Sequence, residues 1–459
     1  MSTSQLAPAS TPRDRDGGPR PPGPAGGRLL GSLRRLRDDP LGLFTESSVH
    51  GDIVGFRAAH LRVYLVIGEE LIRQVEIGNR DNYVKGVSYE PLRISVGQSL
   101  LTADGEDRVA RRKMLLPHLS RRTLLERLPV IAGAVEDVAD RWEERARTGT
   151  PIDVADEMNA LAFDIAGRVL VGAELSDDMR RFAPLMAAGS AWVARRTRAL
   201  ARLPLAVPTP AHVRFWRIER TIRRFAEQLI ARRTADPGDD VLSKLVQDGA
   251  SGEAQAAGIN LRDELIGLLL AGYQTTGAAL AWCWYLLGLH PEVDRTLAAE
   301  AAAVVGGRPA APEDLGRLAY TRQTVMETMR LYPPGWAFTR TAVAPDELGS
   351  YRIPAGSMLV VSSYANHRNP RFWSDPDRFD PERFGPDEPT PGPCHYFPFG
   401  VGPHVCVGKH LAMIESTLAI ASLAARFRLE LASATPVRAE PAITLTPRDP
   451  ILARVHERG

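Results

Sequence analysis

A chain of 459 residues, 44% hydrophobic and 24% charged, can bury a sizeable core and reads as a large soluble enzyme. Its 57 basic and 55 acidic side chains leave a net charge of +2, so no overall field drives binding to nucleic acid or to an acidic membrane; a charged partner has to use a local patch. Three cysteines, Cys283, Cys394 and Cys406, exclude a disulfide scaffold and fit a reducing, cytoplasmic compartment.

Taken in chain order, residues 1–27 are rich in Pro, Gly, Ser and Arg and read as a disordered leader, with neither a secretory signal nor a membrane anchor behind it. Leu29 to Phe44 reads as a short amphipathic helix. Gly51 to Ile67 reads as two strands around Arg57 to Leu61, with Val54, Phe56, Val63 and Leu65 alternating. From Glu69 the pattern is mainly helical, and strand signals return near 340–363 and 437–455. Leu265 to Leu289 carries no charge over 25 positions, long enough at about 1.5 Å per residue to span a bilayer. Gln274, Thr275 and Thr276 at its centre, and the lack of a second such span, favour a helix buried through a large protein. Within it, Ala271 to Gly277 has the weakest helix propensity, so the backbone ladder is expected to loosen there and admit water or a ligand. Glu327 and Arg330 lie three apart on a helix ending at Pro333-Pro334.

The most informative stretch is Phe399-Gly400-Val401-Gly402-Pro403-His404-Val405-Cys406-Val407-Gly408. A cysteine acting as an anionic metal ligand needs N–H groups aimed at its sulfur and a chain able to pass close to a flat cofactor, and the glycines at 400, 402 and 408 permit both. A zinc site from Cys394, His395, His404, Cys406 and His410 lacks the usual knuckle spacing, and a nucleophilic cysteine lacks an obvious base.

This loop, with the helix-like Lys409 to Glu415 behind it, resembles the haem-ligand loop of the cytochrome P450 family. The resemblance extends to Ala271-Gly272-Tyr273-Gln274-Thr275-Thr276, similar to the family's oxygen-binding helix, and to Glu327-Thr328-Met329-Arg330 with Pro381-Glu382-Arg383-Phe384 about fifty residues on. It implies a mainly α fold with smaller β regions (α+β), where length alone would allow about two to four domains. One large domain, residues 28–459, then holds haem b between a long central helix and the Cys406 loop. Cys406 becomes the iron ligand, and Phe399, Gly400, Gly402, Gly408, Ala271 and Gly272 bind the haem itself. Glu327, Arg330 and Arg383 form a structural triad, and Arg108, Arg112, Arg340 and His404 hold the haem propionates. Thr275, with Gln274 and Thr276, governs proton delivery. The chain departs from the family at Gln274, where a carboxylate is usual, and at Arg108, where Trp or His is usual; an amide cannot exchange a proton near neutral pH.

The resemblance further implies a monooxygenase that inserts one oxygen atom from O2 into an apolar molecule, with electrons from a separate ferredoxin or flavodoxin docking near Arg111, Arg112, Lys113 and Lys409. The matching pocket positions, Val87, Tyr89, Leu92, Ile94, Leu268, Tyr273, Trp336, Phe338, Ile443 and Leu445, carry no charge, which suits a terpenoid or similar secondary metabolite. Gln274 keeps a second reading open: a haem-thiolate isomerase, dehydratase or oxidative-coupling enzyme that inserts no oxygen.

Overall fold

The computed structural model describes residues 19–24, 31–59, 61–172, 176–199, 203–249, 258–433 and 435–458. Most of the expected leader lies outside these; of the part described, Pro22 accepts a hydrogen bond from the Gly55 amide at 2.8 Å, so residues 19–24 run beside the first strand. The single helix expected at Leu29 to Phe44 is two, α1 (Leu33–Asp38) and α2 (Pro40–Ser47). Pro40 cannot continue a helix and pushes Asp39 out of the helical region, to φ −149° and ψ 69°, from which the Asp39 carboxylate caps α2 at the Gly42 amide.

Two strands follow as expected, β1 (Ile53–Ala58) and β2 (Leu61–Val66), paired antiparallel from Ile53–Val66 to Ala58–Leu61. They open a five-stranded sheet of order β1-β2-β8-β5-β3, with β3 (Tyr83–Val84), β5 (Phe338–Ala342) and β8 (Met358–Val361), in which β2 and β8 run parallel. Between these strands in sequence lies the helical body: α3 (Glu69–Arg73) and a π-helical turn (Gln74–Gly78), then α4 (Glu90–Val96), α5 (Gly105–Leu115), α6 (Arg121–Glu126), α7 (Leu128–Thr148), α8 (Val154–Val171), α9 (Ser176–Arg198), α10 (Pro210–Ala235), α11 (Val241–Gly249), α12 (Leu261–Leu289), α13 (Pro291–Val304) and α14 (Ala319–Leu331). After α14 come the β6–β7 hairpin (Asp346–Leu348 and Tyr351–Ile353), α15 (Ser363–Asn366) and α16 (Lys409–Ala424). The β10–β11 hairpin (Ala439–Pro441 and Leu445–Pro447) and a sheet of order β4-β12-β9 (Ile152–Asp153, Leu452–Glu457, Phe427–Leu431) complete the chain.

The uncharged run Leu265 to Leu289 lies within α12, and 72% of that helix's apolar 18-residue window is buried inside the fold. Asn260 caps its first turn, where Asp263 and Glu264 complement the helix dipole. Farther along, Trp282 stacks on Tyr332 at 4.0 Å and donates its indole N–H to the Leu445 carbonyl, and Trp284 meets Trp142 edge-on at 5.3 Å. Gly277 lets α12 approach α8 closely: a Cβ there would stand 2.3 Å from Asn159 Oδ1. The expected loosening at Ala271 to Gly277 is not seen. The stretch stays α-helical because the surrounding helices close over the weak sequence, even though Thr275 turns its hydroxyl back onto the Ala271 carbonyl at 2.7 Å.

Candidate active site

Along the sealed middle of α12, Leu268, Ala271, Gly272 and Thr275 keep accessible surface, with Gln274 beside them, while residues 263–267 and 276–287 are buried. The spacing i, i+3, i+4, i+7 places the first four on one face, so the helix carries an open stripe through an otherwise closed core. One residue beyond it, Thr276 donates to Glu415 Oε1 at 2.7 Å, tying α12 to α16, the helix that begins immediately after the Cys406 loop.

That loop is built on two left-handed glycines, Gly400 at φ +80° and Gly402 at φ +62°, conformations in which a side chain is strained. Cys406 N–H donates to the Phe399 carbonyl at 2.9 Å and Gly400 N–H to the Phe397 carbonyl at 3.0 Å. Cys283 and Cys394 are buried, whereas Cys406 is ringed by protein yet keeps an accessible side chain, so it faces an internal opening. Burial pushes its thiol up, opposed by the N–H groups of Gly408 and Lys409 and by Arg112. The Cys/His-rich stretch does not converge on one point: Cys394 is fully buried and His395 stacks on Phe372 at 4.2 Å.

α5 braces the loop from one side. Arg108 donates to the Pro403 carbonyl at 2.7 Å and Arg112, one turn on, to the Val405 carbonyl at 2.6 Å. Arg340 and His404 approach from elsewhere and share Glu76, at 2.7 Å from Arg340 Nη2 and 3.3 Å from His404 Nδ1. Lys85, absent from the sequence reading, joins them: burial, with Arg340, Arg108 and Arg93 working against Asp104, brings its ammonium down to about 8. Arg108 is likewise lowered, by burial and then by Arg112, Arg80 and Arg340. Arg340 Nε and His404 Nδ1 make no hydrogen bond among the described residues. Mutually repelling cations with unfilled donors beside an open thiol fit a planar cofactor that carries its own carboxylates, which is the chemistry of haem.

A second network supports the loop from beneath. Glu327 and Arg330, both without accessible surface, pair through two contacts of 2.7 and 2.8 Å, and Arg383 Nε lies 3.6 Å from the same carboxylate. Arg330 also donates to the carbonyls of His367, Pro376 and Arg378. His367 accepts from the Phe397 amide through Nε2 at 2.9 Å, and burial together with Arg330 pushes its imidazole down to about 3, so it stays neutral and able to accept. The ion pair thereby reaches the Cys406 loop through one histidine that sequence reasoning missed.

Several expected positions need correction. Arg111 is no docking residue: it is 3% exposed and clasps Glu264 at 2.5 Å and Asp107 at 2.7 Å, because its place on α5 faces α12. Arg112 is half-buried in its bond to Val405, whereas Lys113 and Lys409 are exposed. Among the pocket residues, Leu445 has no accessible surface and Leu92 only 7%, Tyr273 packs edge-on against Phe163 at 5.2 Å, and Trp336 stacks on Phe44 at 6.0 Å. Leu445, Leu92 and Tyr273 serve the body of the fold; Val87, Tyr89, Ile94, Leu268, Trp336, Phe338 and Ile443 keep open surface. Gln274 makes no side-chain hydrogen bond to a described residue.

A helical fold with an accessible cysteine in a two-glycine loop, a cation cluster and an open stripe on a buried helix defines a haem-thiolate class of protein. The family model for Cytochrome P450 matches residues 21–453, and the chain belongs to the cytochrome P450 family, whose members carry a haem-iron cofactor; it is a monooxygenase, an oxidoreductase. It is 34% identical to cyclooctatin synthase of Streptomyces melanosporofaciens over 92% of this chain and 93% of that protein. Against cyclooctat-9-en-7-ol 5-monooxygenase of the same organism the identity is 34%, over 87% of each, and against pentalenene oxygenase of Streptomyces avermitilis 30%, over 89% and 91%. The crystal structure of a mutant cytochrome P450DA heme domain superposes with a TM-score of 0.85 at 23% identity, covering 96% of this chain and 98% of that one.

Proposed function

We propose that this enzyme inserts one oxygen atom from O2, by hydroxylation or epoxidation, into an apolar terpenoid skeleton in the cytoplasm. The observation that carries the reading is the open Leu268-Ala271-Gly272-Thr275 stripe on a buried helix tied to the helix that follows an accessible Cys406. Haem b fits between them, with Cys406 as iron ligand, Phe399, Gly400, Gly402 and Gly408 forming its cradle, and Arg108, Arg112, Arg340 and His404 meeting its propionates. When bound, haem ligated by a thiolate supplies oxygen-activating chemistry. Glu327, Arg330 and Arg383 hold the loop through His367 and take no part in the chemistry.

The chain's own residues supply orientation and protons. Thr275 places a hydroxyl on the open face. Gln274 can position water but cannot give up a proton; Glu415, pushed up to about 8 by burial, holds one beside Thr276 Oγ1 near neutral pH. The uncharged open positions favour an apolar substrate, and the names of the three relatives, two of them oxygenases, support the terpenoid class. Electrons come from a separate ferredoxin or flavodoxin, with Lys113 and Lys409 on its docking face.

The reduced protein is expected to give the strongly red-shifted carbon monoxide band of a haem-thiolate, and Cys406→Ala to lose it; a wild-type spectrum in that variant sinks the ligand assignment. Label from 18O2 is expected in the product; its absence overturns the oxygen-insertion reading.

A further inference from the structure

One buried acid is unused by this account. Glu76 sits in the π-helical turn Gln74–Gly78, has no accessible surface, and accepts from Arg340 Nη2 through Oε2 at 2.7 Å, with His404 Nδ1 3.3 Å from the same oxygen, while Oε1 has no hydrogen-bond partner among the described residues. Single π-turns of this kind are often found at functional sites. The turn is pressed against the Cys406 loop: a Cβ on Gly402 would stand 2.6 Å from Ile77 Cγ1 and 3.0 Å from the Glu76 carbonyl. Glu76 thus touches the loop with its backbone and, with its side chain, meets Arg340 of the cation cluster and the His404 imidazole, which burial keeps neutral. A carboxylate with no access to water, and with half its acceptor capacity unused, is costly to bury for packing alone.

We infer that Glu76 is a positioning residue which holds Arg340 and His404 toward the acidic edge of the cofactor and places a fixed negative charge beside it, lowering the reduction potential of the iron. The inference rests on the haem-binding reading above. A buried charge acts through a low effective dielectric, so its removal is felt across the site. Replacing the carboxylate by an amide of the same shape also leaves Arg340 uncompensated, and both changes favour the reduced, less positive iron.

The test is a spectroelectrochemical titration of the haem-loaded wild type, E76Q and E76D, each first checked by its carbon monoxide band so that failure of thiolate ligation is seen separately. E76Q is expected to raise the reduced-to-oxidised ratio at a fixed potential about tenfold, equal to about 59 mV for a one-electron couple, with E76D close to wild type. Two outcomes overturn the inference. One is an unchanged potential in E76Q with the band intact; the other is loss of bound haem in both variants, which makes Glu76 a packing element only.

Discussion

On the proposed reading, Glu415 and Gln274 divide a task that a single carboxylate on α12 would otherwise perform. Burial raises Glu415 to about 8, with Thr276 its one side-chain hydrogen-bond partner among the described residues, so near pH 7 it is mostly protonated. Glu415→Gln is therefore expected to lower product formed per reducing equivalent by about tenfold or more, with the carbon monoxide spectrum retained; unchanged coupling removes Glu415 from proton delivery. Gln274→Glu, which places an acid on α12 itself, is expected to leave the haem spectrum intact, change that ratio in wild type, and restore part of the loss in Glu415→Gln, measured as product against cofactor consumed.

At the scale of elements, the site depends on how closely α8, α12 and α14 sit. Gly277→Ala puts a methyl 2.3 Å from Asn159 Oδ1 and 2.8 Å from its Cα, so α8 and α12 must part. The expected cost is about 1–3 kcal/mol, read from the urea midpoint. Arg330→Leu leaves the Glu327 carboxylate buried and frees the carbonyls of His367, Pro376 and Arg378. A loss of about 3–5 kcal/mol is expected, with weaker haem retention because His367 is no longer held under Phe397. Wild-type stability with normal retention shows that the ion pair does not support the loop.

For the whole molecule, two buried groups give stability opposing pH dependences. His367, at about 3 when folded and 6.5 ordinarily, favours the fold above pH 6.5 and loses that contribution as pH falls toward 3. Glu415 runs the other way: raised from 4.5 to about 8, it contributes fully below 4.5 and loses that contribution as pH rises through 8. Between pH 4.5 and 6.5 the two cancel, and from 6.5 to 8 Glu415 acts alone, lowering stability as pH rises. The stability of wild type relative to Glu415→Gln is expected to fall by about 1.4 kcal/mol per pH unit across that upper window, followed by urea melts at fixed ionic strength. A constant difference shows that Glu415 titrates normally.

The sequence by itself determined the family, the β1–β2 pair, the buried central helix and the Cys406 loop, because each is a local pattern: alternation, an uncharged run, glycines at fixed offsets. Strand β9 is equally legible, with Phe427, Leu429 and Leu431 alternating with Arg428 and Glu430, yet it lies in the stretch that reads as mainly helical. Tertiary structure alone decided the rest. Arg111 and Arg112 are neighbours on a basic run, yet one is sealed against Glu264 and the other reaches the ligand loop, since helix geometry sends adjacent side chains to different faces. Glu76, Lys85, His367 and Glu415 carry no motif. Their roles arise because segments up to 328 residues apart, from Glu76 to His404, meet out of water, where a partner and a low dielectric make an ordinary side chain part of a site.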